Sequence, residues 1–263
     1  MSSNKNPEGR YVYCIVASNE RTDFGQAGIE DSLVYTLPTQ DVGAVIHSCE
    51  PKLYQAKDKE KTAEWLLAHQ YVIDLATEEF GTVIPLAFNT IFTGGDEPVI
   101  DWLNARHHHL CKLLDHLKGK QQFSIQFFLE NDFIRKAIVE NDEIHRVRQA
   151  LETNSRRACL FKILREKRLM LMKEQSKKLY VTVREMADEI RIESTKKGSP
   201  EKLQNKLMIL NFSCLVQENK LNTLANTLRQ INQQEGLTVR FTGPWPPYSF
   251  VGDLKNKKSW LDW

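Results

Sequence analysis

From Asn131 to Glu193 the chain contains neither glycine nor proline. Those two residues are the strongest local punctuation a sequence has, so their absence leaves helix as the default state. Ile134, Ile138, Leu151, Leu160, Leu164, Leu171, Val183, Met186 and Ile190 supply apolar positions along it. The pattern predicts a segment at least about three-quarters helical, with breaks near Asn154-Ser155 and Ser176. A helical block of this length parts the chain into an earlier and a later region. With 263 residues and roughly 150 residues per domain, two domains are expected, 1–130 and 131–263.

The first region mixes short strands with two helices. Tyr11–Ala17 is an apolar, β-rich run, and Leu33–Leu37 and Val42–His47 are two more, joined by the turn-forming Pro38-Thr-Gln-Asp41. Between Asp58 and Phe80 the period becomes helical: Trp65, Ala68, Val72, Leu75, Ala76 and Phe80 share one stripe, and Gly81 suits the stop. Thr82–Phe92 reads as a strand interrupted by Pro85. Pro98 then opens a helix that runs to about Lys118, and Phe123, Ile125, Phe127 and Leu129 alternate along a further strand. This order predicts an α+β fold, with a modified ferredoxin-like N-terminal domain carrying an extra strand. The second domain is also α+β, with long helices. It should end in a strand at Leu207–Val216, a helix from Asn219 to Gln234 and a strand at Leu237–Thr242, after a loop at Ser194–Pro200.

The charge balance removes some function classes. Lys and Arg total 36 and Asp and Glu 34, a net charge of +2, which predicts no general attraction to nucleic acid or anionic membranes. No apolar run approaches the roughly 18 residues of a spanning helix, and Met1–Pro7 has no secretory pattern. The five cysteines stand singly, as in proteins of reducing compartments, and the expected location is cytoplasmic. Phosphate-cradling loops, zinc-hydrolase helices and nucleophile elbows are all missing from the sequence.

Three constellations remain. His107, Cys111 and Asp115 lie four residues apart on a helix and share a face. No fourth ligand stands at a suitable spacing, and leucines already claim the buried side, so no metal and no cofactor are expected. Arg156–Lys178 carries nine bases against the acids Glu166 and Glu174, interleaved with Leu160, Phe161, Leu164 and Leu169–Met172. This basic amphipathic helix is read first as a solvated face packed on its own domain. The third is the ending Gly243-Pro244-Trp245-Pro246-Pro247-Tyr248-Ser249-Phe250. Its prolines fix φ and remove donors, so its aromatic side chains serve either as a plug in a seam between domains or as anchors for a partner. The plug reading predicts that Trp245→Ala acts through folding.

That ending, together with Tyr11-Val-Tyr-Cys-Ile-Val16, Gly43-Ala-Val-Ile46, His69 with Val72, and Val83-Ile-Pro-Leu-Ala-Phe88, resembles the gas vesicle protein GvpF/GvpL family along nearly the whole chain. The resemblance implies a non-enzymatic accessory or minor structural protein of gas vesicle formation. It implies partners, too: the small, hydrophobic main shell protein, bound during assembly, and other accessory gas vesicle proteins, with neither nucleic acid nor membrane. Gly243, Pro244, Trp245, Pro246, Pro247, Tyr248 and Phe250 are its structural or partner-contact motif. A competing reading is a ferredoxin-like ligand-sensing or enzymatic protein with a pocket between its domains.

Overall fold

The computed structural model describes residues 8–140, 155–194 and 205–252, with the backbone alone for 155–160. The expected break at Asn154, the loop residues 195–200, Leu151, and Trp260 and Trp263 lie outside the described residues. The chain is α+β and divides into two units, 1–121 with 245–263 and 122–244.

The first unit is built on an antiparallel sheet of long and short strands. They are β1 (Gly9–Val16), β2 (Asp23–Gly25), β3 (Val34–Thr39), β4 (Val42–Cys49), β5 (Val83–Pro85) and β6 (Ile91–Thr93). The order is β2-β3-β4-β1-β5, with β6 also paired to β1. The run expected over Thr82–Phe92 is thus two short strands. Both pair antiparallel with β1, at Val16↔Val83 and Gly9↔Thr93. β1 and β4 slip register between Val12 and Cys14. That bulge re-aims the strand, so Tyr11, Tyr13, Cys14 and Val16 all join one apolar cluster.

Two helices cover this sheet. α1 (Lys59–Phe80) begins at Asp58, whose carboxylate accepts from the Glu60 amide, and ends at Gly81 with φ +73°, a conformation that costs glycine least. It buries Trp65, His69, Val72, Ile73 and Ala76 against the Tyr11 side of β1. α2 (Glu97–Leu117) carries Pro98 in its first turn and buries Val99, Trp102, Leu103, Leu110, Leu114 and Leu117. Asp96, at its N-cap, directs its carboxylate to the buried Arg10 guanidinium (2.5 Å) instead of to the helix amides.

The second unit holds β7 (Lys120–Glu130), α3 (Asn131–Val139), α4 (Ser155–Arg184), β8 (Glu189–Ile192), β9 (Lys206–Gln217), α5 (Leu221–Asn232) and β10 (Leu237–Trp245). Its sheet order is β10-β7-β9-β8. With helices between β7 and β8 and between β9 and β10, this is the β-α-β-β-α-β split connectivity. Alternate residues Phe123, Ile125, Phe127 and Leu129 of β7 and Leu210, Phe212, Cys214 and Val216 of β9 face one helical layer, built from Ile134, Leu179, Val183, Leu224, Leu228 and Ile231.

Two expectations need correction. The strand before Asn131 belongs to the second sheet, between β10 and β9, so the division falls after Gln121 instead of at 130. The chain after Pro244 returns to the first unit. The helical segment also stops early. Glu189–Ile192 is an edge strand paired with β9, Ile190 opposite Cys214. An edge alternating Glu189, Ile190, Arg191 and Ile192 suits a strand with one partnered side, because its charges discourage further pairing.

Candidate functional site

Tyr11 and Tyr13, on one face of β1, point two phenols into the layer beneath α1, where nothing apolar can satisfy them. Each finds a histidine. Tyr11 Oη lies 2.9 Å from His69 Nδ1, and Tyr13 Oη lies 2.7 Å from His47 Nδ1. His69 Nε2 sits 3.2 Å from the Leu86 carbonyl oxygen and 3.2 Å from Tyr248 Oη. A carbonyl only accepts, so Nε2 carries the proton and Nδ1 accepts from the Tyr11 hydroxyl. Tyr11 Oη in turn accepts from the Asn89 amide at 3.1 Å, and Tyr13 Oη from the Ile29 amide at 3.0 Å. His47 Nε2 completes the set with Tyr54 Oη at 3.1 Å.

Both imidazoles are therefore fully partnered in the neutral form. Burial holds His47 and His69 well below the usual histidine range, at about 4 each, and pushes the phenols of Tyr11 and Tyr13 up. Stacking reinforces the arrangement, with Tyr11 and His47 rings 5.1 Å apart and nearly parallel. With each of these polar atoms already occupied, the network organises the core of this unit.

The proline-rich ending meets this network. Gly243 has φ +131°, and a Cβ there would stand 2.8 Å from Phe123 Cδ1 and 2.9 Å from the Gln122 carbonyl oxygen. Only glycine fits that close approach. The Gly243–Pro244 peptide is cis. Phe241 stacks on Phe123 with centroids 4.8 Å apart. Beyond Pro244 the chain enters the first unit and turns tightly: the Tyr248 amide donates to the Pro246 carbonyl (2.7 Å) and the Phe250 amide to that of Pro247 (2.9 Å). The turn sorts the aromatic side chains. Phe250 is 3% exposed, Tyr248 reaches His69 with its hydroxyl while part of its ring stays in solvent, and Trp245 is 48% exposed. Pro244 is exposed, and Pro246 and Pro247 are half-buried. Plug and surface thus coexist in one motif. The buried role expected of Trp245 falls to Phe250 instead.

A second exposed feature lies outside the constellations that the sequence singles out. On α1, Ala63, Leu67 and Tyr71 stand at four-residue steps and all face solvent, with Leu66 beside them. Leu67 is 71% and Tyr71 55% exposed. The available signal is their position, as apolar residues off the expected stripe. On α4, Phe161, Leu169 and Met170 are exposed among the bases, and full burial begins only at Leu179 and Val183. The basic face is solvated as expected, but its apolar residues are not all packed. Of the three residues weighed for a metal, His107 and Cys111 come together and are joined by Asp41, while Asp115 lies outside that cluster.

No described helix is long and apolar enough to cross a membrane. The family model described as "Gas vesicle synthesis protein GvpL/GvpF" matches residues 9–252. Gas vesicle protein L of Haloferax mediterranei is 33% identical over 241 residues, covering 88% of this chain and 74% of the relative. Gas vesicle protein L1 of Halobacterium salinarum is 31% identical, covering 94% and 91%. The crystal structure of the gas vesicle protein GvpF from Anabaena sp. PCC7120 superposes with a TM-score of 0.75 at 18% identity, over 93% of this chain and 98% of that one, a likeness of fold. From the strand that opens at Gly9 to the turn that buries Phe250, the chain belongs to the GvpL/GvpF family of gas vesicle synthesis proteins.

Proposed function

We propose that the protein is a non-enzymatic accessory factor of gas vesicle formation that binds the hydrophobic main shell protein during assembly, in the cytoplasm and at the growing vesicle. The observation that carries this reading is the exposed row Ala63, Leu67 and Tyr71, with Leu66, on α1. That helix already buries Trp65, His69, Val72, Ile73 and Ala76 on its other side, so the outward row is not needed for its own packing. Apolar side chains held in line on a rigid helix suit a partner whose own surface is apolar. Trp245 and Tyr248 extend the partner-contact role to the proline-rich ending, with Phe250, Pro246 and Pro247 holding the turn.

The neutral, fully partnered histidines support the non-enzymatic part of the reading. Co-expression of the main shell protein with this chain, followed by pulldown, tests the binding. The double variant Leu67→Lys/Tyr71→Lys should retain its melting temperature, since both side chains are exposed, and lose most of the captured shell protein. Undiminished capture by that variant would refute the assigned surface. Absence of capture by the unaltered chain would refute the partner.

A further inference from the structure

The β3–β4 hairpin turns through Gln40 and Asp41, and its tip leans on one face of α2. Thr39 Oγ1 donates to Asn104 Oδ1 at 2.8 Å, and Gln40 Nε2 donates to the same oxygen at 3.2 Å. Asn104, His107 and Cys111 succeed one another at three- and four-residue steps, so they line up beneath the tip. The tip is thereby pinned one turn before the pair His107 and Cys111, and Asp41 is delivered to both. Its Oδ1 hydrogen-bonds His107 Nε2 directly. Cys111 Sγ lies 3.6 Å from that same Nε2 and 3.8 Å from Asp41 Oδ1.

These are ligand-to-ligand distances. Zinc bonds of about 2.0–2.3 Å to nitrogen, oxygen and sulfur in a tetrahedron place neighbouring ligand atoms roughly 3.3–3.6 Å apart. The two sulfur distances already match those edges to within a few tenths of an ångström. The third edge is closed by a hydrogen bond, so a proton there occupies the place a cation would take. An imidazole, a thiolate and a carboxylate form a borderline donor set that selects Zn(II)-like ions over Ca(II) or Mg(II). The sequence expectation of no metal counts Asp115 as the third ligand and finds no fourth. In the fold Asp41, contributed from another element, takes the place of Asp115, and a three-ligand set leaves one position for water, as open zinc sites do.

We propose that Asp41, His107 and Cys111 form a site for one divalent transition-metal ion, Zn(II) in the first instance, with water in the fourth position. Binding releases the Cys111 thiol proton to solvent and leaves the His107 ring proton on Nδ1, so that Nε2, the thiolate and the Asp41 carboxylate face the metal, and it clips the hairpin tip to α2. His108 and His109 are exposed and stand off the face that carries the pair at four-residue spacing, so they take no part.

The test uses the full chain without a histidine tag, stripped with chelator and titrated with Co(II) and then Zn(II). One equivalent should bind, the cobalt form should show a thiolate-to-metal charge-transfer band, and zinc should displace it and raise the melting temperature. Loss of an outer-shell partner typically weakens metal sites about 10–100-fold, so loss of a ligand should cost no less. Cys111→Ser should abolish the charge-transfer band, and His107→Gln and Asp41→Asn should each weaken binding at least about tenfold. The His108→Gln/His109→Gln variant should bind unchanged. Zinc-free melting temperatures of all variants control for folding. Binding of much less than one equivalent, a cobalt complex without the sulfur band, or affinity that survives Asp41→Asn would each overturn the assignment.

Discussion

In the first unit two of the largest fully buried side chains are Tyr11 and Tyr13, each tied by its hydroxyl to a histidine; in the second they are Phe127, Phe128 and Phe212, which have nothing to tie. The sizes are similar and the chemistry is not. A phenol buried beside an imidazole is stable only in one register, because a shift of one strand position would strand four polar groups at once. A phenyl ring tolerates any neighbour of the right volume. The first unit therefore gains specificity from its polar core and becomes sensitive to protons, whereas the centre of the second is packed by phenyl rings and aliphatic side chains. Tryptophan offers a means of watching one without the other: Trp65, Trp102, Trp245, Trp260 and Trp263 all fall outside 122–244.

Acid should separate the two most. His47 and His69 titrate near 6.5 when unfolded and at about 4 in the fold. The unfolded chain binds more protons between those values, so their contribution is fully present above pH 6.5 and is lost as the pH falls toward 4. At 1.36 kcal/mol per unit this amounts to about 3 kcal/mol for each histidine. The denaturant midpoint seen by tryptophan fluorescence should fall steeply over that window, while hydrogen exchange around Phe127 and Phe212 changes less. Equal losses in both units would dissolve the contrast.

Cavity formation should reverse the ranking. Phe127→Ala removes a ring from the centre of the second core and should cost about 3–5 kcal/mol, with hydrogen exchange accelerating across β7 and β9. In the first unit a single atom should suffice. Tyr11→Phe keeps the ring but leaves His69 Nδ1 and the Asn89 amide without partners, a loss of about 1–3 kcal/mol. Thermal melts of Tyr11→Phe beside those of Phe127→Leu decide the point, since the leucine variant breaks no hydrogen bond. If Tyr11→Phe melts with the parent, water has entered the network and the core is less dry than its geometry implies.

Much of this is legible in the chain, and the reason the rest is not is distance along it. Alternation at Phe123, Ile125, Phe127 and Leu129 announces β7, and Asp58 and Gly81 bracket α1. Neither pattern says which sheet a strand joins, so a boundary drawn at 130 leaves β7 on the wrong side. Glu189–Ile192 hides inside a segment without glycine or proline because an edge strand needs only one paired side. His69 looks like one more residue on an apolar helix face until Tyr11, 58 positions earlier, is placed against it. Asp41 is likewise an ordinary turn residue until His107, 66 positions later, meets it. Periodicity finds the elements; side-chain chemistry that crosses between them has no local signature.

The finest comparison lies within the proline-rich ending. Phe250 is 3% exposed and Trp245 48%, although a single short turn separates them. Phe250→Ala should behave as a core deletion, costing about 3 kcal/mol or more. A fully buried tryptophan covers roughly 150–250 Å², so a half-covered one retains about 100 Å², or about 2.5 kcal/mol at 25 cal/mol per Å². Burial already present in the unfolded chain reduces this further, and Trp245→Ala should cost only about 1–2 kcal/mol. The expected result is a small drop in melting temperature for Trp245→Ala and a large one for Phe250→Ala. Shell-protein capture then separates the roles. If Trp245 is an anchor, its variant loses binding out of proportion to its melting shift, whereas Phe250→Ala loses binding only as it unfolds. Trp245→Ala protein that melts far below the parent would return the tryptophan to the core.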